Sequence, residues 1–323
     1  MTVLIYGGGA VGLGLASFLL NSRVEVDIIA RENTVAALRV SGLLRKGLFG
    51  SYHVEPQAFH AFSSLEEVPR RQYDYILVCT KSFDSLPAAQ DLARNGWLFG
   101  RNTRIVLFQN GWGNAEIFAS MFDTKRIYSA RVITGFRRPA PNEVMVTVHA
   151  DAIHIGSLFG GSPTELEELC ELVTQCGIAC QVTDDIGKDL WAKMLYNCAL
   201  NPLSAVLDVP YGALAANGFT KGLMNGIVEE IFAVMAASGY QTHWVTPGEF
   251  LTVFYGKLVP DTAEHKSSTL QDILAHKKTE IDALNGAVIK MAAEHQIAVP
   301  YNTAIYSVVK FLEAKYSPCK VPY

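Results

Sequence analysis

No stretch of this sequence approaches the roughly 18 uninterrupted apolar residues of a membrane helix, so no such span is expected. Positive charge is not in surplus either: 27 Lys and Arg stand against 31 Asp and Glu, a formal net charge of −4. Nucleic-acid binders normally carry a basic excess, so that class of partner gets no support. On the same ground the RR pairs at 70–71 and 137–138 are read as solvated surface. Cysteines are few, at 79, 170, 176, 180, 198 and 319, and no two make a CxxC. In a chain of this size they are expected to be buried thiols, not disulfides or metal ligands. A cleavable leader is not expected, because VLIYGGG already reads as a strand and glycine turn from residue 3. Internal repeats and low-complexity tracts are lacking as well. These absences point to a cytoplasmic protein with no membrane and no nucleic-acid partner.

What the chain does have is apolar residues, 50% of 323, enough for a large core and more than one domain. The first half alternates β-rich runs with helical or looping crossovers: VLIYG (3–7), VEVDIIA (24–30), YDYILVCT (73–80), TRIVLFQN (103–110) and RIYSARV (126–132). Such runs imply a parallel sheet covered on both faces. EVMVTVH and DAIHIG read as strands of a hairpin extending that sheet. After about residue 183 helical periodicity takes over, over 186–201, 219–237 and 278–295, while 240–266 resists assignment. The expected fold class is α/β, with a Rossmann dinucleotide-binding domain over 1–182 and an all-α domain over 183–323. The apolar 219–237 helix is either a core element or an interface, which leaves a homodimer open.

Gly7-Gly8-Gly9-Ala10-Val11-Gly12 is a G-x-G-x-x-G between a strand and a helix. Gly7 permits the tight turn, Gly9 lets a pyrophosphate approach, and Gly12 lets the helix pack close to the strand. The second strand ends in Ala30-Arg31, a cation where NAD-specific sites usually place an acid, and Asp27 lies too early inside the strand. NADP(H) is therefore the expected cofactor. Lys81 and Asn110 each follow a later strand, on the rim where ligands of open α/β sheets bind. Either alone reads equally well as ordinary loop chemistry.

In the helical half, WAKMLYNCALNP (191–202) is mostly apolar, yet Lys193, Asn197 and Asn201 recur every four residues. They drift only about 80° around a helix, forming one polar stripe. That stripe is either a site wall or an edge where lysine reaches solvent and Asn201-Pro202 marks a kink. Glu280 falls on the apolar face of a helix expected from 278, beside Leu284, Ala287, Val288 and Met291; a carboxylate there is costly unless paired or placed in a cleft. Ser268, with Gln271 three residues on, reads as a capping box.

GGGAVG (7–12), the lysine of VCTKS, QNG (109–111), WAKMLYNCALNP, SSTLQDI (267–273) and TEIDALNGAV (279–288) together resemble the ketopantoate reductase (2-dehydropantoate 2-reductase) family over nearly the whole chain. The resemblance implies a helical domain like that of 6-phosphogluconate dehydrogenase, with substrate in a cleft between the domains. It implies Lys193 as general acid and Glu280 as a carboxylate that binds substrate hydroxyl and places the lysine. Asn110, Asn197, Asn201 and Ser268 would hold substrate or nicotinamide, and Arg31 and Lys81 the 2′-phosphate of NADPH. The substrate implied is a small 2-oxo acid, ketopantoate reduced to pantoate in pantothenate biosynthesis. Departures touch substrate choice: His265 stands where the family often has asparagine, 240–266 looks unlike the usual connection, and bulky Trp112 follows QNG. Another branched or aromatic 2-oxo acid remains an alternative, as does a non-catalytic NADPH sensor.

Overall fold

The structure is a computed structural model that describes residues 1–22 and 24–316; Cys319 lies outside the described residues. Two compact units are distinguished, one of Met1–Gln109 with Asn114–Ile186, the other of Asn110–Gly113 with Gly187 onward.

In the first unit the strands are β1 (Thr2–Tyr6), β2 (Glu25–Ile29), β3 (Leu43–Gly47), β4 (Tyr52–Val54), β5 (His60–Phe62), β6 (Tyr73–Val78), β7 (Phe99–Leu107), β8 (Ile127–Arg131), β9 (Thr134–Ala140), β10 (Glu143–His149), β11 (Ile153–Gly156) and β12 (Cys180–Val182). Eight of them make one sheet in the order β12-β11-β8-β7-β6-β1-β2-β5. Pairing is parallel from β5 across to β8, and β11 closes antiparallel on β8. Strand order turns back at β1, which lies between β2 and β6, so the crevice at its carboxyl end is the expected ligand position. The helices of this unit are α1 (Ala10–Leu19), α2 (Glu32–Ser41), α3 (Ser85–Arg94), α4 (Asn114–Ala119) and α5 (Glu167–Gln175). Successive side chains of β1 serve opposite faces. Val3 and Ile5 join a core with Leu13, Ala16 and Phe18 of α1, and Leu4 joins another with Ala88, Leu92 and Phe118. Both faces are therefore dry, as near-continuous apolar strands require.

The expected hairpin of EVMVTVH with DAIHIG does not form. β10 pairs with β9 in a separate sheet of order β4-β3-β10-β9, while β11 joins the large sheet. Between them the chain changes sheets at Asp151, whose carboxylate takes Arg131 at 2.9 Å. This small sheet covers α1: Gly14 leaves the room that the Phe136 ring of β9 fills. The RR pairs are not simply solvated. Arg71 binds Glu25 and buried Asp27, and Arg138 bonds the glycine turn. Cys79, Cys170, Cys176 and Cys198 are buried thiols, and Cys180 is partly buried.

The second unit is helical: α6 (Ile186–Leu207), α7 (Tyr211–Ala216), α8 (Gly218–Ala237), α9 (Pro247–Val253), α10 (Ser268–Leu274), α11 (Asn285–Glu294) and α12 (Pro300–Tyr316). Met224, Ile227, Val228, Ile231, Val234 and Met235 of α8 are buried in its core, so that helix is a core element. Within 240–266, α9 is capped by Thr246, whose hydroxyl accepts from Glu249 N–H at 3.2 Å. The Thr-Pro-Gly-Glu sequence was a readable helix start. A π-helical stretch, Phe254–Leu258, and a 3₁₀ turn, Pro260–Thr262, follow.

Two helix starts differ from expectation. The helix expected from 278 begins at Asn285; Glu280 precedes a 3₁₀ turn over Ile281–Ala283. The Ala283 carbonyl accepts from Trp112 N–H at 2.8 Å, and Leu284 has φ −100°, ψ −108°, outside helical values. A carbonyl committed to another segment, beside a residue that cannot continue the helix, delays the start. In α10 the cap is Ser267, which accepts from Leu270 N–H at 3.0 Å, and Gln271 bonds the Lys266 carbonyl. Ser268 is thereby the first helical residue, and the expected capping box does not form.

Candidate active site

The glycine turn has the shape a dinucleotide requires. Gly7 has φ +119°, and a Cβ there would stand 2.8 Å from the backbone of Cys79 and Thr80. A side chain on Gly12 would strike the Gly7 carbonyl, and one on Gly8 the methyl of Ala30. Gly9 differs, because its nearest neighbour would be 3.9 Å away. No described residue crowds that position, which leaves the backbone there open to approach. Gly9 caps α1 without a side-chain hydrogen bond, and no acid lies in the first turn. The opening N–H groups, at Ala10, Val11 and Gly12, are thus left for an anion. The residues present fit a dinucleotide pyrophosphate.

Arg31 is exposed at the end of β2, where its extended backbone caps α2. Lys81 follows β6, also extended, and its carbonyl receives the Gln109 amide. With β1 between them, the two strands stand about 10 Å apart. Asp27 is buried against Arg71, Tyr73 and His60, which accounts for it as structure.

The second unit assembles the predicted polar residues more tightly. Lys193 Nζ donates to Asn110 Oδ1 at 2.7 Å, and Asn110 Nδ2 donates to Glu280 Oε2 at 3.3 Å. Only this orientation of the amide satisfies both neighbours, since an ammonium cannot accept and a carboxylate cannot donate. Glu280 is 5% exposed, so its carboxyl group stands in a largely dry setting where hydrogen bonding matters. One turn beyond Lys193, Asn197 is partly buried and its amide has no protein partner among the described residues. Ser268 is in the same condition, because Ser267 does the capping.

Asn201 is different. It is buried, and its Oδ1 accepts from the Tyr211 hydroxyl at 2.6 Å. Burial pushes the Tyr211 pKa well above its ordinary value, so the phenol remains a donor. His265 packs against the Tyr211 ring with centroids 5.3 Å apart and the rings tilted, and burial lowers its pKa, favouring neutral imidazole. The departure at His265 therefore bears on Asn201 through Tyr211. Trp112 packs its ring against Trp191 and Tyr240, with centroids 4.7 and 4.8 Å away. That ring cluster, with the bond from the Trp112 backbone N–H to the Ala283 carbonyl, anchors the segment carrying Asn110.

Sequence reading did not anticipate Tyr211, Ser267 or Arg138. For Arg138 a signal existed: in TGFRRPA, strand alternation puts it on the face of apolar Phe136, not with exposed Arg137.

A family model described as ketopantoate reductase PanE/ApbA matches residues 3–160, and its companion, ketopantoate reductase PanE/ApbA C terminal, matches 185–313. The chain belongs to the ketopantoate reductase family. A 2-dehydropantoate 2-reductase of Aquifex aeolicus is 35% identical over 314 residues, 97% of each chain. One from Pyrococcus horikoshii is 28% identical, over 97% of this chain and 98% of its own. Among solved structures, a PanE/ApbA family ketopantoate reductase from Ralstonia eutropha superposes with a TM-score of 0.84 at 28% identity, covering 98% of this chain and 99% of that one. A D-mandelate dehydrogenase, solved with NADH and anilino(oxo)acetate, reaches 0.88 at 22% identity with the same coverage and shares the fold. The family's two-part fold, a Rossmann-like domain followed by a helical one, is thereby established for this chain.

Proposed function

We propose that this protein reduces ketopantoate to (R)-pantoate with NADPH, Lys193 acting as general acid. The observation that carries the reading is the hydrogen-bonded series Lys193–Asn110–Glu280 in a chain of the ketopantoate reductase family. When bound, the reduced nicotinamide supplies a hydride to the C2 carbonyl, and negative charge grows on its oxygen. Lys193 meets that charge and gives up a proton, a contribution typically worth about 10²–10⁴-fold. Asn110 fixes the ammonium, and Glu280 fixes the amide while offering an acceptor to a substrate hydroxyl. Asn197 and Ser268 keep polar groups for the acid, whereas Asn201, held by Tyr211, shapes the site from behind. Arg31, an exposed cation in place of the acid of NAD-specific sites, is the support for NADPH over NADH. Lys81 is the further cation proposed for this cofactor.

Loss of reduced-nicotinamide absorbance, followed with ketopantoate, ketoisovalerate and phenylglyoxylate, tests the reading in wild type and Lys193→Ala. Ketopantoate-dependent turnover that falls at least about 100-fold in the variant, with NADPH affinity kept, is expected. Preference for another of the acids moves the substrate and keeps the mechanism. Undiminished turnover in Lys193→Ala removes the lysine's role, and binding without turnover on any acid indicates a sensor.

A further inference from the structure

We propose that Arg138, from the small second sheet, is the other half of the clamp that reads the 2′-phosphate of the cofactor, facing Arg31 across the end of β2. This rests on the NADPH reading above and adds to it a specificity-determining residue more than a hundred positions from Arg31.

The argument begins with where the guanidinium is spent. Arg138 Nη1 donates to the Gly8 carbonyl at 2.8 Å and to the Thr34 hydroxyl at 3.2 Å. Gly8 belongs to the phosphate-binding turn, and Thr34 to the first turn of the helix that Arg31 caps. Both acceptors are neutral. Neither Arg138 nor Arg31 forms an ion pair with an acid among the described residues. Guanidinium carries five N–H donors, and Nε and Nη2 of Arg138 make no hydrogen bond among the described residues. The side chain is half-buried, and its pKa is lowered by that burial and then by the charge of Arg31. Two cations that repel each other, one partly desolvated, are an unfavourable arrangement by themselves. A dianion between them reverses the sign, and a planar fork with unspent donors suits phosphate oxygens. The acid that follows, Glu32, is exposed and pairs with neither arginine among the described residues. Lys81 stands two strands over, whereas Arg138 touches the turn itself.

A purely structural role, bracing the glycine turn through the Gly8 carbonyl, would affect every adenine nucleotide equally. The test therefore compares 2′,5′-ADP with 5′-AMP, which differ only in the 2′-phosphate, by calorimetric titration of the intact protein without substrate. Wild type should favour 2′,5′-ADP. Arg138→Gln should weaken that ligand by about 10- to 100-fold and leave 5′-AMP within about twofold. Arg138→Lys, which keeps the charge and loses the fork, should fall between; it also serves if the glutamine variant does not fold. An equal loss of both ligands, or no loss of either, overturns the proposal. If Arg31→Gln abolishes the preference while both Arg138 variants retain it, the NADPH reading stands and the clamp is wrong. A wild type indifferent to the 2′-phosphate removes both.

Discussion

Asn110 links a lysine and a glutamate through one neutral amide, accepting from Lys193 and donating to Glu280, and so orients both. Protonation state also matters at His265, whose ring packs on the Tyr211 that holds Asn201. Burial lowers its pKa from 6.5, so the folded chain binds a proton at this position less readily than the unfolded chain. Its stabilising share is complete above pH 6.5 and is lost as pH falls through the depressed folded value. Unfolding midpoints measured between about pH 8 and pH 5 should decline on the acid side, and His265→Gln should flatten part of that decline. Only part is expected, because burial also lowers the His149 pKa, with Asp151 opposing it. An unchanged acid limb in the variant would mean that the packing against Tyr211 tolerates the imidazolium. At this scale Lys193 and Glu280 were legible as charged residues within apolar helical patterns, and Asn110 by its place after a strand. Tyr211 was not, because a tyrosine in a helix looks ordinary until its partner is known, and the alternation that marked Arg138 did not name its acceptors.

Along α6, Pro202 sits inside a helix that runs unbroken from Ile186 to Leu207. A proline there leaves the Cys198 carbonyl without its usual donor. Asn285 Nδ2 supplies one at 3.3 Å and also donates to Asn302 Oδ1 at 2.9 Å. Asn302 in turn donates to Glu230 at 2.7 Å and to the Ile227 carbonyl. A buried amide chain thus ties α6, α11, α12 and α8. Asn285→Leu leaves Cys198 O and Asn302 Oδ1 unpaired, and chemical denaturation should register a loss of about 1–3 kcal/mol. A loss below about 0.5 kcal/mol would show that water replaces the amide. Helix α6 was legible from its periodicity. The start of α11 was not, since periodicity reports apolar spacing and is blind to a carbonyl drawn off toward Trp112. Similarly, Ser267 and Ser268 are equivalent letters, and backbone geometry decides which one caps.

For the whole chain, alternation of strand and helix gave away the α/β half, and sustained helical periodicity the other. The return of Asn110–Gly113 to the packing of the second unit was invisible, because those residues sit inside a strand–loop–helix passage that reads as continuous. Trp112 makes that return possible. Trp112→Ala removes two ring contacts and should cost about 2–4 kcal/mol, with kcat lowered and NADPH affinity kept. Denaturation and steady-state kinetics on one preparation check both, and an unchanged kcat would separate the stack from the placing of Asn110. The hydrogen bonds through Asn110 span 83 and 170 residues of chain. Contacts that distant form late, after large loops have closed. As a nascent chain lengthens, Asn110 must wait for Lys193 and then Glu280 to be synthesised, so the proton-donating apparatus is assembled only when most of the polypeptide exists.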